Sequence, residues 1–583
     1  MDHPVQHSGC RVSETAVQPD KPRFVRAFSA LKDRRMAAML MLAFAAGLPY
    51  GAVLGTLNAW LTTEGVTPST IGVLSIITLG YSFKYLWAPA FQTPKFIPVE
   101  RLGARRSWLL IFQIPIAILM ALMALSDPAS GVGMLALIAL CIALMSATHD
   151  IVLDAWRIEV ARSDEDRDLM AALYQFGYRI SGFITGFVAL LLAARFGWVA
   201  VYLIIAAMMV IAAIGTLIAP EPDADLNTDA NRPSFFAGLP NRVRDWSVSG
   251  ISVGWAIAIA MILWFMTQAL VLDSNPSARS FVRGQGPWIV GLTVLAPALL
   301  SAFLLLKFRP AAETIQEAPT EPGLKRALFR AIFDPLMDMV DRLKWGMVLV
   351  LALALTYRFT DAVWGAFAYP FYLDDRFGAL HHTMDDVAIA SKFFGILMTI
   401  SGAALGAIVI SFVGRMKVLI LGAFLAAATN LLFADLAAGG AAMDAFLAWT
   451  HLDVPLVTFA EWAATISPDP VQPDQGQRMA RLMMAIAGEN LAGGFASVAI
   501  VAYLTSVVNP RFAAVQYALL GSLTMLIGTL GRPWLGEIIE AQGYYTVFII
   551  TFWLGMVAVA LSVLETIRQH YFDTPAPEAI TGD

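Results

Sequence analysis

Asp150 and Asp154 stand one helical turn apart in the stretch Ser146–Glu159, SATHDIVLDAWRIE, which closes an apolar run beginning near Val132. Side chains four residues apart share one helix face. An ionisable group within a bilayer costs at least a few kcal/mol, so by default it marks a pathway or a coupling site. A carboxylate that takes up a proton on one side and releases it on the other couples a solute's passage to a proton gradient. Asp150 lies deeper in the apolar run and is the first choice for that role, with Glu489 second. His149 adjoins Asp150 either as a relay or as a hydrogen-bonding neighbour. For Asp154 and Arg157 a plainer role is also open, a helix end snorkelling into the headgroup zone.

Other charges fall inside apolar segments. The basic ones are Lys84, Arg179, Arg358, Lys392 and Arg532; the acidic ones are Asp150, Asp361 and Glu489, with Asp435 nearer a helix end. At about 1.5 Å per residue, Arg179 and Arg358 come close to the middle of a hydrocarbon core about 30 Å thick. Arg358 and Asp361, three apart, can pair along their own helix, and Arg179 is placed to reach Asp150 across an antiparallel helix pair. Structural pairing is one account of each. The surplus of cations over acids favours another, a wet cavity receiving an anionic solute. In that account Lys84, Arg179, Arg358 and Lys392 hold carboxylates, with Asp361 and Asn490 beside them. Tyr174, Tyr178, Tyr357 and Trp364 share helices with Arg179 and Arg358. Aromatic faces with polar tips beside cations suit a solute carrying both sugar rings and carboxylates; packing or an interfacial belt is the alternative.

The elements that must carry these residues are set by composition. The chain has 583 residues, 58% hydrophobic and only 14% charged, where a soluble domain carries roughly 25% charged residues. Its solvent is therefore the bilayer. The net charge of −5 identifies no partner, and nothing in the sequence points to nucleic acid. Apolar segments long enough to cross fall at 36–58, 69–92, 107–126, 132–156, 168–193, 198–219, 247–270, 288–306, 345–370, 386–412, 417–437, 480–506, 511–535 and 544–566. Fourteen spans put both termini on one side. Clusters such as Lys32, Arg34, Arg35 and Arg101, Arg105, Arg106 then make that side cytoplasmic. Residues 1–35 form a basic tail without the apolar core of a signal peptide. Cys10 and Cys141, in a tail and a span, argue against a disulfide. Walker, GxSxG and HExxH patterns are absent, and His381–His382 lack further ligands at metal spacing. The expectation is a transporter, not an enzyme, with no metal, no cofactor and no ATP.

The spans divide six, two and six. A bundle at 36–219 is followed by cytoplasmic linkers at 220–246 and 307–344 around an inserted pair at 247–270 and 288–306, both free of charge. A second bundle at 345–566 and a cytoplasmic tail at 567–583 complete the chain. The halves resemble each other: Arg167–Ile204 contains ARFGW before VAVYLI, and Arg511–Ile550 contains AQGYY before TVFII. A parallel repeat about the membrane normal, with the solute site between halves, is the symmetry of major facilitator transporters. Glycines four apart (Gly47, Gly51, Gly55; Gly402, Gly406) read as close helix packing. The outside loop 438–479 carries an apolar, aromatic patch, open between an interfacial helix, a lid and a plain insertion.

Four separated motifs give a specific resemblance. They are Ala43–Pro89 (AFAAGLPYGAVLGTLNAWLTTEGVTPSTIGVLSIITLGYSFKYLWAP), SATHDIVLDAWRIE, Gly488–Ser506 (GENLAGGFASVAIVAYLTS) and Arg511–Leu523 (RFAAVQYALLGSL). Together they resemble the AmpG-type muropeptide permeases, a branch of the major facilitator superfamily in Gram-negative inner membranes. The resemblance covers roughly 36–219 and 345–566. It implies an all-α integral membrane fold of two six-helix bundles plus the inserted pair, working as a monomer. It also implies proton-driven import of anhydromuropeptides for peptidoglycan recycling, which feeds β-lactamase induction. The family's intramembrane Asp maps onto Asp150. Two positions depart from the family pattern: His149 stands where Gln is usual, and Gln92 where an Asp tends to follow the LWAP stretch. Two other functions stay open, a facilitator for another anionic solute (acetyl-CoA-like or a drug) and a non-transporting membrane sensor or scaffold.

Overall fold

Hydrocarbon offers no partner for a backbone N–H or C=O, so a chain this apolar crosses it as helices that bond internally or as a closed barrel. The computed structural model describes residues 33–84, 87, 91, 100–128, 131–162, 164–222, 239–272, 274, 276–308, 324–465, 474–509 and 513–571. Among these residues there are helices and no strands. Eleven continuous helical stretches are long and apolar enough to cross a membrane, and the chain is a multi-pass membrane protein. In chain order the elements are α1 (Arg34–Thr63), α2 (Pro68–Tyr81), α3 (Ala104–Ala124), α4 (Val132–Val160), α5 (164–196), α6 (198–218), α7 (Asn241–Leu270), α8 (Ala278–Gly284) and α9 (Gly286–Lys307). They continue with α10 (Leu324–Leu343), α11 (Gly346–Leu373), α12 (Met384–Ile410), α13 (Arg415–Ala437), α14 (Ala441–Thr450), α15 (Asp453–Ala464), α16 (Gln475–Val507), α17 (513–542) and α18 (544–571). Cys10, Gln92 and Arg511 lie outside the described residues.

Two of the eleven stretches are helix pairs joined without a loop. Alpha5 runs into α6 through Gly197 (φ 76°, ψ 169°), and α17 into α18 through Gly543 (φ 79°, ψ 170°). A side chain is strained in that region, so glycine supplies both turns. They fall in ARFGW and AQGYY, the segments that match between the halves, and the backbone takes the same turn in each.

The first half packs α1 against α5 and α6, and α3 against α4 and α6. The second packs α16 between α12 and α13, and α18 against α11 and α13. Close approach governs the densest contact, between α12 and α16: a Cβ built at Gly402 would lie 2.1 Å from the Leu491 carbonyl oxygen. Small residues at such crossings let backbones meet.

Two expectations change, and one left open is filled in. The inserted pair begins earlier than 247, since α7 starts at Asn241 and includes Arg242, Arg244 and Asp245. The segment 307–344 is not all linker, because its last part folds as α10. That helix buries Phe329, Phe333, Met337 and Met339, an amphipathic pattern that averaged hydropathy hides. Asp338 of α10 accepts from Asn509 Nδ2 at 2.7 Å and Gln516 Nε2 at 2.8 Å, fastening the helix to the second half. Residues 438–479 likewise contain α14 and α15, with α15 lying along α16. Asp435, one of the acids noted near a helix end, caps α14 by accepting from the backbone N–H groups of Ala442 and Met443 at 3.0 and 2.8 Å. Asp444 pairs with Arg481 at 2.5 Å, and that partner holds its carboxyl below the usual range against a smaller opposing effect of burial.

The insert covers the seam between the halves. Alpha7 packs on α2 and α4, while α8 packs on α17. Glu537 of α17 accepts from the backbone N–H groups of Ala278 (2.6 Å) and Arg279 (3.2 Å), so the carboxylate caps α8 from the second half.

Replacing Gly402 by Leu should lower stability by at least about 2 kcal/mol, because the added carbons meet backbone that cannot step aside. A drop in the thermal midpoint of detergent-solubilised protein checks this; an unchanged midpoint refutes the tight crossing.

Candidate functional site

Polar side chains in the first half gather where α2, α3, α4 and α6 meet. Lys84 Nζ lies 3.8 Å from Asp150 Oδ2, and His149 Nδ1 lies 4.0 Å from Asp150 Oδ1. Asp150 is buried and the Lys84 side chain is only partly so. An ion pair in a medium this apolar forms because each charge alone costs more than the pair. Lys84, not Arg179, is therefore the partner of Asp150. Arg179 is exposed on α5, one turn from the exposed Phe176. The α4 backbone brings Asp154 and Arg157 together at 3.2 Å (i, i+3), nearer the helix end. Behind His149, Gln113 Nε2 approaches its Nε2 at 3.1 Å, and Thr216 Oγ1 donates to Gln113 Oε1 at 2.7 Å.

A row of tyrosines borders this cluster. Tyr50 packs edge-on against Tyr81 at 5.1 Å between centroids and lies 5.8 Å from Tyr178, which lies 5.9 Å from Tyr174. The Arg157 guanidinium sits 5.2 Å over the Tyr174 ring. Tyr174 and Tyr178 thus lie next to the charged cluster and not beside the exposed Arg179, and Tyr50 and Tyr81 extend the row.

In the second half the helices are interrupted where the polar residues sit. Alpha11 breaks at Tyr357–Arg358, with Arg358 at φ −103°, ψ 21°, and restarts at Phe359 with Asp361 in its first turn. A carboxylate is favoured there by the helix dipole. Alpha13 breaks at Thr429, between Ala428 and Asn430. The two breaks face a small recess lined by Thr360, Asp361, Trp364, Thr429, Asn430 and Glu489, among others. Arg358 Nε donates to Asp361 Oδ2 at 3.2 Å. Asn490 Nδ2 donates to Glu489 Oε2 at 3.0 Å, and Asn490 Oδ1 accepts from Thr399 Oγ1 at 2.8 Å, which fixes the amide. Trp364 closes the recess from within a cluster containing Phe433 and Phe548. Tyr357 is not brought to the recess: it is buried, and its hydroxyl donates to the Leu419 carbonyl at 3.0 Å, bracing α11 on α13. Thr429 and Asn430 were missed by sequence reasoning. A lone Asn inside LAAATNLLF is the signal that marks them.

The halves meet through π-helical turns. Lys392 lies in the π segment Ala388–Phe394 of α12 and Gly186 in the π segment Ile184–Val188 of α5. A Cβ at Gly186 would lie 2.9 Å from Lys392 Cδ, so the lysine stem crosses the interface, and its ammonium sits 4.9 Å from the Tyr369 ring centroid. Such π-turns interrupt a regular helix and recur at functional sites. Polar bonds join the halves from one end of the bundle to about mid-depth. Arg195 pairs with Asp385 at 3.0 Å, and Glu540 accepts from the Ser69 N–H at 2.8 Å. Asn58 donates to the Ala366 carbonyl at 3.3 Å, and Arg532 to Ser75 O and Thr78 Oγ1 at 3.3 and 3.2 Å.

Residues 39–278 match the Major Facilitator Superfamily. The chain is similar to "Anhydromuropeptide permease" of Escherichia coli K12, 34% identical over 255 residues that cover 43% of this chain and 49% of that protein. The chain thus spans about half the length of that curated relative. It is also similar to "Putative transporter AmpG 4" of Rickettsia felis, 23% identical over 91% of this chain and 95% of that protein. Among solved structures it shares its fold with an auto-inhibited POT family peptide transporter (TM-score 0.58, 11% identity, 94% of this chain and 98% of that one). The nucleoside transporter NupG gives a TM-score of 0.52 at 13% identity, over 91% and 99% of the two chains.

Cysteines placed at Arg195 and Asp385 should be joined in high yield by a short bifunctional thiol reagent, read as a gel-mobility change that requires both cysteines. Absence of that product would mean the halves are parted at this end.

Proposed function

We propose that this chain, whose residues 39–278 match the Major Facilitator Superfamily, is a transporter and not an enzyme and imports anhydromuropeptides across the inner membrane of a Gram-negative bacterium. These are GlcNAc-1,6-anhydroMurNAc sugars with or without peptide, moved from periplasm to cytoplasm for peptidoglycan recycling and so tied to β-lactamase induction. The names of the relatives support the solute class. The observation that carries the reading is the Lys84–Asp150 pair beside a row of tyrosines, with a second charged recess in the other half.

The chemistry follows from that pair. With Asp150 ionised, its charge holds the Lys84 ammonium. A proton on Asp150 removes the attraction, and the ammonium, on a partly exposed side chain, turns to a carboxylate of the solute. Release of the proton on the far side re-forms the pair and ejects the anion. Solute and proton therefore bind together and travel in one direction. Arg358 supplies the second carboxylate contact, shared with Asp361, and Lys392 a third from the interface. Tyr174, Tyr178 and Trp364 offer ring faces to the sugars. Glu489, held by Asn490, is a second proton-carrying candidate.

In this reading the chain crosses the membrane fourteen times: the eleven stretches, with those broken at Gly197 and Gly543 each counted as two, plus α2. Both termini are cytoplasmic, and the end fastened by Arg195–Asp385 and Glu540–Ser69 is periplasmic, leaving the cavity open inward. The protein acts as a monomer.

In proteoliposomes, uptake of radiolabelled anhydromuropeptide should rise with an imposed pH gradient, and Asp150→Asn should abolish that dependence. Uptake that still follows the gradient in this variant would remove Asp150 from the proton path. Failure of anhydro-sugars to compete would point to another anionic solute. Arg358→Gln should raise KM about tenfold or more, the worth of one charge-assisted hydrogen bond; an unaltered KM excludes it as an anchor.

A further inference from the structure

The buried chain Thr216–Gln113–His149 ends on the Asp150 carboxylate, and its hydrogen-bond directions can be read in order. All three side chains are at most 1% exposed, so each polar atom needs a partner within the protein. The Thr216 hydroxyl has one proton to place, and its partner is Gln113 Oε1 at 2.7 Å. That fixes the amide with oxygen toward Thr216 and nitrogen toward His149. The amide nitrogen only donates, so His149 Nε2, 3.1 Å away, is the lone-pair nitrogen. In the neutral ring the single proton is then on Nδ1. Nδ1 faces Asp150 Oδ1 at 4.0 Å, a buried oxygen with no hydrogen-bond partner among the described residues. A small rotation of either side chain closes that gap to a hydrogen bond.

We propose that Gln113 and Thr216 are positioning residues that hold His149 as an Nδ1–H donor aimed at Oδ1, which directs an incoming proton to Oδ2, the oxygen shared with Lys84. An acid proton on Oδ1 would confront the imidazole N–H, two donors with no acceptor between them. On Oδ2 it meets no such conflict and takes the place of the Lys84 ammonium. Only an O–H bond forms, the proton comes from water, and Lys84 keeps its own protons. His149 therefore does not relay the proton: its inward nitrogen is already occupied. This inference rests on Asp150 as the proton carrier, and it states which of its two oxygens carries the proton.

The test is the tautomer itself. Full-length protein in lipid, labelled with ¹⁵N-histidine, should show His149 with a bare Nε2 and a protonated Nδ1, the signal being identified by its loss in His149→Gln. A protonated Nε2 in the wild-type protein would overturn the proposal. Thr216→Val keeps the shape but frees the amide to flip, so the Nε2–H form should appear. In the same variant maximal gradient-driven uptake should fall several-fold with KM unchanged. A merely structural role for Thr216 would reduce the amount of folded protein and leave the tautomer alone; a variant that retains only the Nδ1–H form counts against the proposal. If Asp150→Asn still transports with the gradient while the tautomer is as expected, the transport reading fails and the geometry stands. The reverse result sinks this inference and spares the transport reading.

Discussion

A charge inside hydrocarbon has nowhere to go but to another group of the same protein, and the placement of polar residues throughout this chain follows from that. Lys84 and Asp150 come from different helices and meet because neither could stand alone at that depth. Arg532, buried within α17, directs its guanidinium to a carbonyl and a hydroxyl of α2, so the same constraint also stitches the halves together. Lys84, Arg358 and Lys392, by contrast, are only partly buried.

Regular helices spend all their backbone groups on themselves, and a site needs some of them back. Helices are interrupted where polar side chains gather: α11 at Tyr357–Arg358, α13 at Thr429, and α5 and α12 at π-turns that face each other. Asp361, just past the break in α11, shares one recess with Glu489 of the unbroken α16. Interrupted helices around a central site are tolerated in membranes only where the loose backbone is enclosed by protein or lines a cavity.

The legible part of this arrangement was the inventory of charges in apolar runs and the all-helical, multi-pass character of the chain. Hydropathy and spacing report those directly, so Asp150, Arg358, Asp361, Lys392 and Glu489 stand out in the sequence as charges within apolar segments. Partnership was less legible. Arg179 reads as the neighbour of Asp150 by depth, but depth says nothing about azimuth, and the side chain is exposed on another face of α5. Tyr357 shares a helix with Arg358, yet the break between them turns its hydroxyl to Leu419. Helix α10 escaped because alternating charged and apolar residues average to a neutral hydropathy while forming one greasy face. Thr216 and Gln113 carried no signal at all: a lone hydroxyl and a lone amide in apolar runs become informative only once their hydrogen bonds are seen.

The inserted pair is fastened unevenly. Among the described residues its polar attachments, the Glu537 cap on α8 and the Asp338 bonds of the adjoining α10, lead to the second half, whereas its contact with the first half includes close backbone approach, as where the Leu270 carbonyl lies 2.7 Å from the position of a Cβ on Gly133. The pair is thus fixed along one edge to the second half and lies over the seam with the first like an overlapping shingle.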